Sequence, residues 1–167
     1  MQNYLIETKR LGLRFMRRED IEHLRSLDKD PVVKEFFPEG TLTDDEIKAY
    51  MNDCMLNCKT KGLPCFVIFK LQTNEFVGEA YFDHLDSGET KVGYLFHHKY
   101  WNKGYGTEVL SALLNWAKTY IKADYIIAYA DKKNKGSFRV MKNCGMEYYK
   151  DEYYLDMECR FYRIKNQ

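Results

Sequence analysis

The segment Tyr100-Trp101-Asn102-Lys103-Gly104-Tyr105-Gly106-Thr107-Glu108 decides how the chain is interpreted. It joins an apolar run, 92–96, to a long stretch with helical periodicity, 107–121. Two glycines two residues apart let the main chain approach a ligand closely, because glycine has no Cβ and tolerates positive φ. The helix that follows presents unpaired N–H groups and the positive end of its dipole. The segment therefore predicts an anion site for phosphate or pyrophosphate, to which Lys103 adds a charge.

This glycine loop resembles the pyrophosphate loop of the GNAT acetyltransferase superfamily. The longer string Tyr-Trp-x-Lys-Gly-Tyr-(Gly/Ala)-Thr-Glu is similar to the Rim-type branch, named for ribosomal-protein-alanine N-acetyltransferases. A lone Gly-x-Gly occurs in unrelated turns, so the specificity lies in the whole string. The departure from the superfamily is Trp101, which stands where Gln or Arg is common and is interpreted as a packing residue. The resemblance implies that acetyl-CoA is bound by Lys103, Gly104, Tyr105, Gly106 and Thr107.

Length and composition limit the class of protein. A chain of 167 residues is expected to form one domain, 1–167, with a proper core. A net charge of +1 argues against nucleic acid as the main partner, because such proteins usually carry a basic excess. The sequence has no apolar run of about 18 residues and no secretory signal pattern at Met1, so we expect no membrane span and a cytoplasmic location.

The cysteines give no metal site. There are five, without a Cys-x-x-Cys pair. Cys54 and Cys58 lie one helical turn apart, but no third and fourth ligand follows at zinc spacing. We interpret them as buried thiols in a reducing compartment.

Periodicity and boundary signals give the order of elements. Short turns join the three strands in the middle of the chain, which predicts an antiparallel meander. The whole order predicts an α+β fold whose sheet changes character after the glycine loop. The resemblance implies a GNAT-like fold with a mixed central sheet of about six or seven strands and about four helices. Strands are predicted at 8–15, 65–71, 76–83, 91–97, 125–130, 146–150 and 155–164, and helices beginning at Ile21, Thr43, Thr107 and Asn134.

The resemblance also implies a gap in the sheet. In the family, the strand before the glycine loop and the strand at Tyr125 separate at one end, and the pantetheine arm of the cofactor pairs with strand main chain there. The matching positions are Leu95, Phe96 and His97, and N–H groups near Phe96 would hold the oxyanion. The first two helices and their connector would wall the acceptor cleft.

A second motif, Asn134-Lys135-Gly136-Ser137, resembles the Asn-x-x-Ser helix start of the same family. Asn134 and the later Gly145 are explained as helix boundaries. A serine in the first turn of a helix is not explained by packing. Considered without the glycine loop, Ser137 would still be interpreted as a structural residue. Its place about 30 residues after the glycine loop matches the family, which implies that Asn134 and Ser137 contact the cofactor. Ser137 would donate a hydrogen bond to the departing thiolate more than act as a full acid.

The acceptor amine must be neutral to react. A lysine amine of pKa about 10.4 is only about 0.1% neutral near pH 7.4, whereas an α-amine of pKa about 7.8 is about one quarter neutral. A protein N-terminus therefore needs little help from a base, and a polyamine or lysine needs a good one.

Three carboxylates on or near the meander are candidate bases: Glu79, Asp83 and Glu89. Glu79 is preferred because it lies mid-strand, although a solvated carboxylate is an equal alternative. Many members of the branch carry a carboxylate two residues before Gly93, but Lys91 stands there, which departs from the usual base assignment. His84, His97 and His98 are interpreted as polar surface. The catalytic residues predicted are therefore Ser137 and Glu79, with no metal.

The sequence predicts a transferase: a cytoplasmic acyltransferase that performs N-acetylation from acetyl-CoA by direct transfer in a ternary complex. The acceptor favoured by the branch is a protein N-terminal α-amine. A small amine (polyamine, aminoglycoside or amino acid) is the alternative within the superfamily. A non-catalytic acyl-CoA-binding protein, indifferent to Ser137→Ala, is an alternative of another class. A nicotinamide enzyme is disfavoured because no G-x-G-x-x-G follows an early strand. The oligomeric state, monomer or homodimer, is left open.

Overall fold

One mixed sheet of eight strands organises the structure, a computed structural model in which residues 3–167 are described. The spatial strand order is β1-β2-β3-β4-β5-β6-β8-β7. The first five strands are antiparallel neighbours, β5 and β6 are parallel, and β6, β8 and β7 are antiparallel again. The elements are β1 (Ile6–Glu7), β2 (Leu11–Phe15), α1 (Ile21–Asp28), α2 (Asp44–Lys61), β3 (Cys65–Lys70), β4 (Phe76–His84), β5 (Thr90–Phe96), α3 (Tyr105–Tyr120), β6 (Tyr125–Asp131), α4 (Lys135–Asn143), β7 (Glu147–Tyr154) and β8 (Met157–Lys165).

The α+β class, the mixed sheet and the four helices are confirmed, but the predicted number of strands was too low. The predicted strand 8–15 is a hairpin, because the chain reverses at 8–10. The Thr8 N–H donates to the Leu11 carbonyl at 2.8 Å, and Ile6 pairs with Leu13. A continuous strand at 8–15 would put Arg10 and Arg14 on one face, but Arg10 lies in the turn before β2 and does not share that face.

Local capping chemistry fixes the long second helix. The hydroxyl of Thr43 accepts the Glu46 N–H at 3.2 Å, and the Glu46 carboxylate accepts the Thr43 N–H at 2.9 Å. This reciprocal pair satisfies two N–H groups that the helix cannot. Gly62 ends the helix with φ +65°, which glycine adopts without strain. Both boundaries agree with the sequence prediction.

The helices cover both faces of the sheet. On β3, Val67 packs with buried residues of α1 and α2, whereas its neighbour Phe66 packs with those of α3 and α4. Successive strand residues point to opposite faces, so the two helix pairs lie on opposite sides. Simple alternation along the strand 76–83 would put Val77 and Glu79 on one face of the sheet, but a bulge in β4 separates them. Phe69 pairs with Phe76 and Ile68 with Gly78. Val77 is the extra residue, and it packs on the α3 side, away from Glu79.

The parallel pair β5 and β6 separates soon after it begins. The paired positions are Thr90 with Ile126 and Lys91 with Ile127. Beyond them β5 continues to Phe96 and β6 to Asp131, and no cross-strand pair joins the two strands there within the described part of the chain. The expected splay of the sheet is present and leaves strand main chain available to a ligand. None of the helices within residues 3–167 is long and apolar enough to cross a membrane.

Candidate functional site

The glycine loop starts α3 in the conformation that an anion site requires. Gly104 is the N-cap with φ +82°, and no side chain caps the helix. The first helical hydrogen bond runs from the Glu108 N–H to the Gly104 carbonyl at 3.1 Å. The N–H groups of residues 105–107 therefore have no acceptor within the helix. The helix begins at Tyr105, two residues earlier than predicted, which places the second glycine of the loop in its first turn.

Gly106 lets three elements meet at the open end of the sheet gap. A Cβ at this position would lie 3.3 Å from Val140 of α4 and 3.5 Å from the Tyr94 ring of β5. That spacing is tight for any side chain, so the first turn of α3 rests directly on α4 and β5. The start of α4, which carries Asn134 and Ser137, is thereby held beside the glycine loop.

Asn134 and Ser137 form the expected helix start. The Asn134 side chain is the N-cap and accepts the Ser137 N–H at 3.4 Å, and both residues are half-buried. The sequence prediction missed Tyr94, whose hydroxyl is buried at the same place. Burial raises the pKa of Tyr94 to about 12, and the Ser137 hydroxyl beside it opposes that rise. The signal available in the sequence was its alternation with Phe96, which puts both rings on the α3 face.

The edge of β5 assigns different roles to the three positions predicted to pair with pantetheine. The His97 N–H donates to the Val77 carbonyl at 3.1 Å, and the His97 carbonyl accepts the Tyr100 N–H at 2.9 Å. His97 thus has no main-chain group left for a ligand, because both already serve the fold. Successive N–H groups alternate between the two edges of a strand, so that of Leu95 also faces β4 and that of Phe96 faces the gap.

Trp101 is 40% exposed, and its ring nitrogen is bonded to the sheet. Its indole N–H donates to the Phe96 carbonyl at 3.0 Å, and its ring lies 6.3 Å from that of His98. The indole nitrogen is therefore engaged with the sheet and is not free for a phosphate. The His97 ring contacts Ser26 at 3.1 Å, and His98 lies 3.3 Å from Asp30, whereas His84 is exposed.

Of the three candidate bases, Glu79 is nearest to the gap. It pairs across the strands with Leu95, next to Phe96. Asp83 lies four residues further along β4, about 13 Å away at about 3.3 Å per residue, near the closed end of the gap. Glu89 also lies at that end, where its carboxylate accepts from Tyr149 at 3.1 Å and from Ser87. Lys91 stands between the rings of Tyr81 and Tyr129 at the same end.

The Glu79 carboxyl is shielded by the two N-terminal helices. It is 1% exposed, accepts the Tyr50 hydroxyl at 3.2 Å, and its second oxygen has no partner among the described residues. Burial raises its pKa well above the usual value, with the charge of Asp28 adding to the rise and Lys34 opposing it. A carboxyl with a raised pKa is a stronger base once it is deprotonated, which suits proton abstraction from an amine.

A buried ion pair lies beside Glu79, under the connector between α1 and α2. Lys34, 4% exposed, places its ammonium 3.7 Å from Asp28 and 2.9 Å from Glu39, over the ring of Phe37 at 4.3 Å. Asp28 is 1% exposed and one of its oxygens is unpartnered among the described residues. The connector therefore places a positively charged group, Lys34, beside the carboxyl groups of Asp28 and Glu39. This is the side of the cleft where the acceptor amine is expected to bind. No group of three or more His, Cys, Asp or Glu residues placed to hold a metal occurs within 3–167.

Asp28 gives the protein a stability that falls with rising pH. Burial, opposed by Lys34, raises its pKa from 3.8 to about 6. The folded state then holds this proton more tightly than the unfolded state, so the stabilisation is full below pH 4 and is lost as pH rises through 6. We expect Asp28→Asn to remove about 2 kcal/mol of the decline in unfolding free energy between pH 4 and 7. Denaturant unfolding across that range measures it. The exposed Asp45→Asn should reproduce the wild-type curve, and an Asp28→Asn curve parallel to wild type would contradict the assignment.

Comparison with known proteins agrees with this geometry. Residues 10–147 match the family described as Acetyltransferase (GNAT) domain. A Bacillus subtilis (strain 168) protein named uncharacterized N-acetyltransferase YnaD is 29% identical over 144 residues, covering 84% of this chain and 81% of that protein. The crystal structure of a GNAT-family acetyltransferase from Bacillus anthracis has a TM-score of 0.79 and 26% identity, covering 96% of this chain and 98% of that one.

Two solved structures with different acceptors share the fold at lower identity. RimL, a ribosomal L7/L12 alpha-N-protein acetyltransferase solved with coenzyme A, has a TM-score of 0.80 and 16% identity, covering 95% of each chain. The spermidine N-acetyltransferase of Vibrio cholerae, solved with CoA and spermine, has a TM-score of 0.79 and 14% identity, covering 93% of this chain and 95% of that one. At these identities the likeness concerns the fold and does not choose between the acceptors.

Proposed function

Because this chain belongs to the GNAT acetyltransferase family and is an acetyl-CoA-dependent N-acetyltransferase, we propose that its acceptor is a protein N-terminal α-amine. The observation that carries the proposal is Glu79, a buried carboxyl with a raised pKa, one strand away from the gap. The Glu79 side chain is 1% exposed, so we propose that an amine reaches it through movement of the connector or through a water. Such a restricted base suits an amine that is already partly neutral. The nine-residue glycine loop of the Rim-type branch supports the same acceptor.

The residues around the gap fit the acetyl donor. The free N–H groups at the start of α3, with Lys103, suit its pyrophosphate. Asn134 and Ser137 suit the pantetheine arm on the α4 side. On the β5 side the outward N–H of Phe96 suits the acetyl oxygen of the donor, because the Phe96 carbonyl is already bonded to Trp101. We place the strand contact at Phe96 and not at Leu95 or His97, because the His97 N–H is bonded to the Val77 carbonyl and the Leu95 N–H also faces β4.

Acetyl-CoA supplies an activated acetyl thioester. The Phe96 N–H would stabilise the negative charge that develops on the acetyl oxygen when the amine attacks the carbonyl carbon. Glu79 would take the proton that the amine nitrogen loses as the C–N bond forms. Ser137, held by the Asn134 cap, would donate to the sulfur that leaves with the electron pair of the C–S bond. Transfer is direct, within a ternary complex, and uses no covalent enzyme intermediate. We place the reaction in the cytoplasm, where the five free cysteines would stay reduced.

A small cationic amine is the second candidate, because two carboxyl groups, the buried Asp28 and the exposed Glu39, converge on one cation at the connector. Asp28 has an unpartnered oxygen, and Glu39 reaches the same ammonium as Asp28. Lys34 already occupies that position, which balances the charge without a substrate. The polyamine alternative therefore requires Lys34 to be displaced.

An acceptor panel tests the two candidates. Thiol release from acetyl-CoA is followed with short peptides bearing a free α-amine, the same peptides blocked at the N-terminus, spermidine and an aminoglycoside. We expect release with the free peptides only. Release with spermidine or the aminoglycoside alone would overturn the N-terminal acceptor in favour of a small amine. No release with any acceptor, with acetyl-CoA binding intact, would overturn both.

A further inference from the structure

Arg10 lies beside the glycine loop although it is more than ninety residues away in sequence. Its guanidinium stacks over the Tyr105 ring at 4.3 Å, and its Nη2 atom would be 3.4 Å from a Cβ at Gly104. The side chain is 41% exposed, so one edge of the guanidinium faces solvent at the start of α3. The turn between β1 and β2 is therefore part of the wall of the proposed pyrophosphate site.

Glu108 holds Arg10 in this place. Its carboxylate accepts the Arg10 Nε at 2.8 Å, the Arg10 main-chain N–H at 2.9 Å and the Thr8 hydroxyl. Burial alone would raise the pKa of Glu108, but these hydrogen bonds outweigh it and the pKa is lowered, so the carboxylate is charged. A negative charge in the first turn of α3 opposes an anionic ligand at the same helix end. Arg10 neutralises that charge.

The Nη groups of Arg10 remain for a ligand. The bonds to Glu108 use Nε, and no acceptor for either Nη group is found within residues 3–167. Trp101, at the first position of the loop, has its indole N–H bonded to the sheet and offers no donor. Two donors in a fixed fork match the oxygens of a phosphate better than a single ammonium does.

We propose that Arg10 binds the pyrophosphate of the acyl donor and supplies the side-chain donor that Trp101 does not. The contact would be made by the Nη groups while Nε stays on an oxygen of Glu108, an acceptor that Glu108→Gln also offers, so that only the negative charge of Glu108 opposes the ligand. The inference rests on the proposed placement of acetyl-CoA at the glycine loop. It does not depend on which amine is acetylated.

Two substitutions distinguish the proposed phosphate contact of Arg10 from a purely structural role, in which the Arg10–Glu108 ion pair only holds the loop in place. We call this second role the clamp. Arg10→Gln removes the charge but can still donate to Glu108, whereas Glu108→Gln weakens the clamp and removes a negative charge beside the ligand. A phosphate contact requires opposite effects: weaker acetyl-CoA binding for Arg10→Gln, and equal or tighter binding for Glu108→Gln. A clamp requires both variants to bind more weakly. Arg10→Lys should fall between wild type and Arg10→Gln, because it keeps the charge and loses the fork.

Isothermal titration calorimetry with three ligands tests the proposal. For Arg10→Gln we expect the Kd of acetyl-CoA and of acetyl-dephospho-CoA to rise about 10- to 100-fold, the range for a hydrogen bond to a charged group. Binding of S-acetylpantetheine, which has no phosphate, should not change. An equal loss with S-acetylpantetheine, or equal losses in the two variants, would overturn the proposal. Loss confined to acetyl-CoA would assign the contact to the 3′-phosphate and overturn the pyrophosphate assignment.

Binding and turnover keep this result separate from the proposed function. If the wild-type protein binds acetyl-CoA but acetylates no N-terminal peptide, the proposed acceptor is wrong. The calorimetry of the Arg10 variants still tests whether Arg10 binds the pyrophosphate. Thermal melting of each variant shows whether the fold is kept. We expect small changes, because an ion pair of this exposure contributes little to stability.

Discussion

Glu79→Gln is expected to lower kcat by about 10²- to 10⁴-fold, the usual contribution of a general base. The side chain keeps its size and its place opposite Leu95, so only the proton acceptor is lost. The KM for acetyl-CoA should stay near the wild-type value, because the glycine loop and the gap are untouched. Steady-state kinetics with a free N-terminal peptide measures both constants.

The pH dependence identifies the carboxyl itself. The pKa of Glu79 is raised, and its base form is the deprotonated one, so kcat/KM should increase as pH rises through that pKa. In Glu79→Gln this limb should vanish and leave the titration of the acceptor α-amine, near about pH 7.8. Tyr50→Phe removes the hydrogen bond that favours the carboxylate, so the Glu79 limb should move to higher pH at an unchanged plateau.

Asp83→Asn is the matched control on the same strand. Asp83 accepts the N–H of His84 at 2.8 Å and lies near the closed end of the gap, so we expect kinetics close to wild type. If Glu79→Gln retains the wild-type kcat and pH profile, the amine loses its proton to solvent and Glu79 is a structural carboxyl. A large loss in Asp83→Asn instead would move the base to that residue.

The parts of the fold that the sequence predicts correctly are those set by local chemistry. A capping box at Thr43 and the glycine end at Gly62 specify α2 without reference to the rest of the chain. The Asn134 cap is local in the same sense, since it accepts the N–H of Ser137 three residues later. Their residues act within a few positions of one another, so a sequence pattern is sufficient.

The parts that the sequence could not predict depend on contacts between distant segments. The burial of Glu79 comes from two helices that pack over its strand, and alternation alone left it equally plausible on a solvated face. Arg10 meets Glu108 only because the hairpin turn reaches the start of α3. His97 was misplaced because a strand pattern does not say which edge its N–H faces. That edge follows from the register with β4.

Gly104→Val is expected to weaken acetyl-CoA binding by about 100-fold or more, since at least two hydrogen bonds to charged oxygens would be lost. Gly104 has φ +82°, where a β-branched residue is strained. Relieving that strain turns the chain away from the helix start, and the N–H groups of 105–107 then point elsewhere. The Kd from calorimetry measures the effect, which should appear as weaker binding with the fold retained.

Gly88→Val separates loop geometry from general strain. Gly88 has φ +88° in the turn between β4 and β5, with open space where a side chain would be, so the strain of about 1–3 kcal/mol is comparable. We expect both variants to melt at similarly lowered temperatures but only Gly104→Val to lose acetyl-CoA. Equal affinities in the two variants would mean that the donor is held by side chains such as Lys103 and Arg10. The main-chain N–H groups of the loop would then contribute little to the affinity for acetyl-CoA. The positive charges of nearby side chains, and not the geometry of the helix start, would bind the phosphates.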